Sequence, residues 1–162
     1  MSDKKRLEDV FRLSGVPEYT YVEPEEYGRL FIALRTKGRG VIIEGPSGIG
    51  KTTSVVQALK SLKLSDEVRV LSARKRKDIE SIKEIIALDE FGTVVIDDFH
   101  KLPEDLKKNI SDLLKLLADE GDDKSKLILV GINKTGHSLI KYSPDLRNRI
   151  DIIKFESNSE AK

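Results

Sequence analysis

The chain has 162 residues, enough for one domain with a real core. Its 29 Lys and Arg balance 28 Asp and Glu, so no overall charge argues for a nucleic-acid or membrane-surface partner, and any basic contact surface must be local. The absence of cysteine excludes a disulfide framework, a thiolate nucleophile and a cysteine zinc site, and two histidines, His100 and His137, are too few for a histidine metal cluster.

The N-terminal stretch is charged and lacks the apolar run of a signal peptide, and no segment approaches the roughly 18 apolar residues of a membrane span. These features imply a soluble, cytoplasmic chain with no membrane partner. Leu7, Val10 and Phe11 have helical spacing, and Ser14-Gly15 can end that piece. An extended Tyr19–Val22 follows. Pro24 then opens a second helix with Tyr27, Leu30, Phe31 and Leu34 on one face, closed by Gly38.

From Gly40 onward, short apolar runs alternate with amphipathic helices. The runs are Val41–Ile43, Val68–Leu71, Thr93–Ile96, Leu127–Val130 and Ile150–Ile153. The second and fifth contain charge and belong nearer the sheet edges; the others read as buried strands. One helix packs Val55, Val56, Leu59 and Leu62. Another begins near Asp78 and packs Ile79, Ile82, Ile85 and Ile86. A third has Pro103 in its first turn, packs Leu106, Ile110, Leu113, Leu114 and Leu117, and ends at Gly121. This alternation predicts an α/β fold with a parallel sheet covered on both faces by right-handed crossovers. Residues 1–156 form one expected unit, with 1–38 as its N-terminal helical segment, and 157–162 read as a disordered tail.

Gly45-Pro46-Ser47-Gly48-Ile49-Gly50-Lys51-Thr52 fits the phosphate-loop pattern G-x-x-x-x-G-K-[ST]. Chance alone produces it in roughly one chain in a hundred of this size, and here it also follows a strand and opens a helix. Glycines let the backbone turn tightly and present N–H groups to phosphate, and the helix start adds its positive end. Lys51 is expected to reach the β- and γ-phosphates and Thr52 to ligate magnesium, with Thr53 completing the binding segment. The cofactors implied are ATP or ADP with Mg2+. The N-K-x-D pattern of guanine readers is absent, because Thr135 and Gly136 follow Asn133-Lys134, and this favours adenine.

The second acidic element is Val94-Val95-Ile96-Asp97-Asp98. A carboxylate at the C-terminal end of a buried strand lies where such sheets bind ligands. Asp97 is the expected magnesium partner, the alternative being a strand-end cap. Asp98 is a candidate to orient the attacking water, the alternative being a cap or a brace for Lys51.

These motifs, with Asn133 after the fourth run and Leu146-Arg147-Asn148-Arg149-Ile150 before the fifth, together resemble the AAA+ ATPase core, over roughly Phe11 to Phe155. The resemblance implies a three-layer P-loop NTPase with a five-stranded parallel sheet ordered 5-1-4-3-2. It implies that Asn133 is a polar sensor near the γ-phosphate and that Arg147 or Arg149 enters a neighbouring subunit's site, making the chain a homo-oligomer. It further implies that Ser14–Val22, including Val16 and Pro17, lines the adenine pocket, and that Ser72 couples partner binding to the catalytic acid. The resemblance also exposes two departures. The family usually has Asp-Glu where this chain has Asp97-Asp98, and its modules normally continue into a helical lid, so an excised core or a lidless member is expected here. The Asp-Asp pair is similar to the STAND and NACHT switch ATPases, which hold nucleotide more than they turn it over. An ATPase coupled to oligomerisation or partner remodelling is therefore one expectation, and a nucleotide-dependent switch or scaffold is the other.

Three further features stay open. The basic run Arg74-Lys75-Arg76-Lys77 could meet nucleic-acid phosphates or could be a solvated helix entry. His100 could sense nucleotide state or simply start a loop. Arg147 and Arg149 could instead form surface ion pairs with Asp145 or Asp151.

Overall fold

The computed structural model describes residues 20–21, 24–63, 67–121 and 123–157. The expected helix around Leu7–Phe11 and the adenine-pocket residues Val16 and Pro17 lie outside them.

Five parallel strands form the central sheet: β1 (Gly40–Glu44), β2 (Val68–Ser72), β3 (Gly92–Asp97), β4 (Ser125–Gly131) and β5 (Ile150–Lys154). They lie in the order β2-β3-β4-β1-β5, the expected arrangement written from its other edge. Every residue of β1 is buried, as its central place requires. The edge strand β2 leaves Arg69 and Val70 exposed, which is why its run tolerates charge.

The period-2 alternation of the strands sends their side chains to two separate cores. Val41 and Ile43 pack with Leu30, Phe31 and Leu34 of α1 (Pro24–Arg35) and with Val55 and Leu59 of α2 (Lys51–Ser61). Ile42 packs on the opposite face with α3 (Arg76–Ile85), α4 (Glu104–Glu120) and α5 (Thr135–Tyr142), through Ile82, Ile110, Leu114 and Leu139. Helices therefore cover both faces, and no helix among the described residues is long and apolar enough to cross a membrane.

Some boundaries move for local reasons. α3 starts at Arg76, two residues before Asp78, whose carboxylate in the first helical turn accepts the Ser72 N–H at 2.9 Å. α1 ends at Arg35, before Gly38. Gly38 is left-handed, and a Cβ there would meet the Leu117 carbonyl, so glycine is needed where the loop passes α4. Gly121 is left-handed too, and its N–H closes α4 on the Leu117 carbonyl at 3.0 Å. Ser157, assigned to the tail by the sequence, pairs antiparallel with Thr20, and Glu156 pairs with Tyr21. This short two-stranded ribbon ties the segment before α1 to the exit of β5. Residues 158–162 lie outside those described.

Candidate functional site

The site lies where β1 and β3 end. β1 passes into the phosphate loop at Gly45, whose N–H donates to the Gly131 carbonyl at 3.2 Å and so pins the loop to the end of β4. A Cβ on Gly45 would strike the Phe155 carbonyl, so this position admits only glycine. Gly48 and Gly50 adopt φ of 79° and 81°, in the left-handed region where side chains are strained. Ile49, only 5% exposed, anchors the loop in the α1/α2 core while Ser47 and Gly48 stay at the surface.

Gly50 caps α2 without any side-chain hydrogen bond, and no acidic residue occupies the helix's first turn. The positive end of α2 thus has no acidic residue of its own to offset it. Lys51 lies in that turn, 8% exposed, and its Nζ donates to the carbonyls of Gly45 (3.0 Å) and Pro46 (2.6 Å). Burial lowers its pKa below the usual lysine value, while Asp97 and Asp98 pull it upward.

Asp97 is the last residue of β3, and one of its oxygens accepts the Asp98 N–H at 2.8 Å. Asp98 is left-handed, with φ 54°, which for a side chain other than glycine costs about 1 kcal/mol or more. It lets the chain turn out of the sheet at once into the short 3-10 turn Phe99–Lys101, anchored by buried Phe99. The Asp98 carboxylate does not brace Lys51. It forms an ion pair with Arg74 Nε at 2.9 Å. Ser72 helps set this up, because its hydroxyl accepts the Arg74 N–H at 3.2 Å.

These groups surround a cleft of about 320 Å3, lined by Ser47, Lys51, Thr52, Thr53, Asp97, Asp98, Arg74 and His100. The donor chemistry fits a magnesium nucleotide. The Thr52 hydroxyl and the Asp97 carboxylate are hard oxygen donors, and among the described residues no group of three or more His, Cys, Asp or Glu could cage a metal alone. Magnesium takes few protein ligands and shares the rest with phosphate and water.

His100 lines the same cleft, and its Nδ1 is buried with no partner among the described residues. Burial holds its pKa below the usual histidine value against the pull of Asp98. Asn133 is not brought in. β4 ends at Gly131, and Gly131 and Ile132 line the cleft instead. The Thr135 hydroxyl and N–H close on the Ile132 carbonyl, and Lys134 turns left-handed, leaving Asn133 exposed on the loop.

Arg147 and Arg149 lie at the other end of the sheet. Ile150, which starts β5, pairs with Gly40, which starts β1, whereas the phosphate loop leaves the far end of β1. Arg149 pairs with Asp119 at 2.9 Å and donates to the Asp145 carbonyl, rather than pairing with the carboxylates of Asp145 or Asp151. Asp151 pairs with Arg39, and Asp145 with Lys115. Arg147 is exposed and forms no ion pair among the described residues.

The sequence did not single out Arg74 as a cleft residue, because it stands in a basic run. Its link to Asp98 becomes visible only once β2 is known to lie beside β3. Glu44 was also missed. It is 5% exposed, and its carboxylate accepts the Gly136 N–H at 3.1 Å, fixing the start of α5 against β1.

The fold is shared with three solved structures. A mutant of Thermotoga maritima RuvB is 21% identical, covering 83% of this chain and 46% of that one, with a TM-score of 0.54. The P-loop NTPase domain of the E. coli sigma-54 transport activator is 16% identical, covering 80% and 93%, with a TM-score of 0.50. The Aeropyrum pernix ORC1 protein in complex with DNA is 18% identical, covering 89% and 48%, with a TM-score of 0.50. The chain thus spans less than half of the RuvB and ORC1 chains. Residues 41–157 match the ATPase family associated with various cellular activities, AAA. The chain belongs to the AAA family. No curated protein matches it in sequence. The matched residues of this AAA domain run from β1 to Ser157 and include every cleft residue named above.

Proposed function

We propose that this AAA domain binds magnesium ATP in the cleft and hydrolyses it to ADP and phosphate. The observation that supports this best is the convergence of Lys51, Thr52, Asp97 and Asp98 on one cleft at the positive end of α2, whose first turn carries no acidic residue. In this reading the loop N–H groups and Lys51 hold the β- and γ-phosphates, and Thr52 and Asp97 hold magnesium directly or through water. Magnesium supplies charge neutralisation on the phosphates. Asp98 orients the attacking water and takes its proton as the γ-phosphoryl group leaves ADP. The adenine end falls to the segment containing Val16 and Pro17.

Arg147 and Arg149 lie too far along the sheet to serve their own cleft, so a role in hydrolysis requires a second copy of the chain. Arg147 is the better placed for this, since Arg149 is already engaged by Asp119. Oligomerisation and partner remodelling in the cytoplasm complete the reading. The nucleic-acid alternative now rests on Lys75, Arg76 and Lys77, all exposed around the start of α3, since Arg74 turns to Asp98. The chain's structural neighbours include the RuvB Holliday junction branch migration motor and ORC1 in complex with DNA.

The second reading, a switch with little turnover, draws on two observations: Asp98 is tied to Arg74, and Asn133 stands outside the cleft. Steady-state ATPase activity across a wide range of protein concentration separates the two. A specific rate that climbs with concentration and disappears in Lys51→Ala and Arg147→Ala supports the shared-site ATPase. Stoichiometric nucleotide retention with no turnover at any concentration supports the switch. A chain that binds no nucleotide sinks both.

A further inference from the structure

Arg74 has a place in the cleft that the basic run does not explain. Its side chain is 56% exposed, yet it leaves the solvent-facing track of Lys75–Lys77 and pairs with Asp98, whose side chain is only 22% exposed. Its backbone is held for this by the Ser72 hydroxyl. Its Nε faces Asp98 at 2.9 Å, and the guanidinium forms no second ion pair among the described residues. An arginine carries five N–H donors in a fork, so the group retains capacity for a further anion.

The other cations at the cleft differ in kind. Lys51 is buried at the root of the phosphate loop and committed to two carbonyls. His100 is held toward its neutral form by burial. Arg74 is thus a second cation of the cleft beside Lys51, and it enters from the end of β2, across β3 and β4 from the loop.

That placement matters because a triphosphate brings its last phosphate toward Asp97 and Asp98. Two carboxylates there repel it unless a cation stands between. A guanidinium suits the task, since its planar fork can keep one carboxylate while meeting phosphate oxygens with the remaining donors. An ion pair half in solvent is also weak, so turning the guanidinium toward phosphate while it stays near Asp98 costs little.

We propose that Arg74 is a terminal-phosphate ligand, positioned by Asp98, that makes this site prefer a nucleoside triphosphate over a diphosphate. The inference rests on the cleft being the nucleotide site. It assigns Arg74 to the nucleotide within its own chain and separates it from the three lysine and arginine residues that follow.

The test is equilibrium binding of ATPγS and of ADP, both with magnesium, to the full chain and to its Arg74→Ala and Arg74→Gln variants. The preference for triphosphate is expected to fall about tenfold, the worth of one charge-assisted contact, with ADP affinity unchanged. Unchanged ADP binding also reports that the variants have folded. An undiminished preference, or equal weakening of both nucleotides, overturns the proposal. A wild-type chain that binds neither nucleotide overturns the site reading beneath it, an outcome distinct from a lost preference.

Discussion

The two ends of one sheet each hold a lysine bonded to backbone carbonyls, and they use it differently. At the C-terminal end, Lys51 meets two carbonyls of a glycine-rich loop beside an open cleft with two carboxylates. At the N-terminal end, Lys126 donates to the carbonyls of Ala33, Thr36 and Arg39, at 2.6, 2.8 and 2.8 Å. Burial pushes its pKa down to about 8, with Asp151 pulling upward. Those carbonyls belong to the end of α1 and the loop after it; Ala33 and Thr36 also accept longer backbone bonds, from the N–H groups of Thr36 and Arg39 at 3.3 Å each. Around it the charges are matched in pairs, Arg39 with Asp151 and Arg149 with Asp119. A lysine held under backbone carbonyls is therefore no mark of a site by itself. What distinguishes Lys51 is its surroundings: strained glycines, a helix start with no acidic residue in its first turn and convergent oxygen donors.

The contrast can be broken by substitution. The largest effect is expected from Lys51→Ala, which should weaken ATP binding about 100-fold or more by removing a charged contact to phosphate. Its unfolding free energy should change by less than about 1 kcal/mol, because water can reach the freed loop carbonyls from the cleft. Titration calorimetry and urea unfolding on one sample would check both halves. A large stability loss with unchanged binding would reverse the assignment of the two lysines.

Lys126→Met should do the opposite. It removes the charged donor that ties the Ala33, Thr36 and Arg39 carbonyls together and should cost about 2 kcal/mol of stability, with nucleotide affinity unchanged once folded. Urea unfolding beside ATPγS binding tests this.

Asp97→Asn should cost about tenfold in affinity in the presence of magnesium, and chelation by EDTA should erase most of the difference from wild type. If the variant and wild type differ equally without metal, Asp97 is not a magnesium ligand. The smallest effect belongs to Arg149→Ala. Its solvent-screened pair with Asp119 should change the melting temperature only slightly, and less at high salt. Thermal unfolding at two salt concentrations measures it.

Much of the site was legible because its signals are local. Gly45 to Thr52 is a continuous segment whose spacing reflects the shape of phosphate, and Asp97 announces itself at the end of an apolar run. The charged runs Val68–Leu71 and Ile150–Ile153 were correctly placed at the sheet edges, since only an edge strand can solvate its charges. The resemblance implied a polar sensor at Asn133, and the structure leaves that residue exposed on the loop after β4. The left-handed turn at Lys134 and the Thr135 bonds decide where that loop goes. Arg149 was correctly suspected of an ion pair but given the wrong partners, because Asp119 lies 30 residues earlier, near the end of α4.

The sequence by itself determined the phosphate loop, the acidic strand end and the alternation that forces a parallel sheet, because backbone chirality and side-chain period act over short distances. Tertiary structure alone decided which charges meet. Arg74 finds Asp98, Lys126 finds the end of α1, and Glu44 finds Gly136 only after the strands have taken their order. Those contacts join segments far apart in the chain, and nothing in local propensity or periodicity encodes a partner at that range.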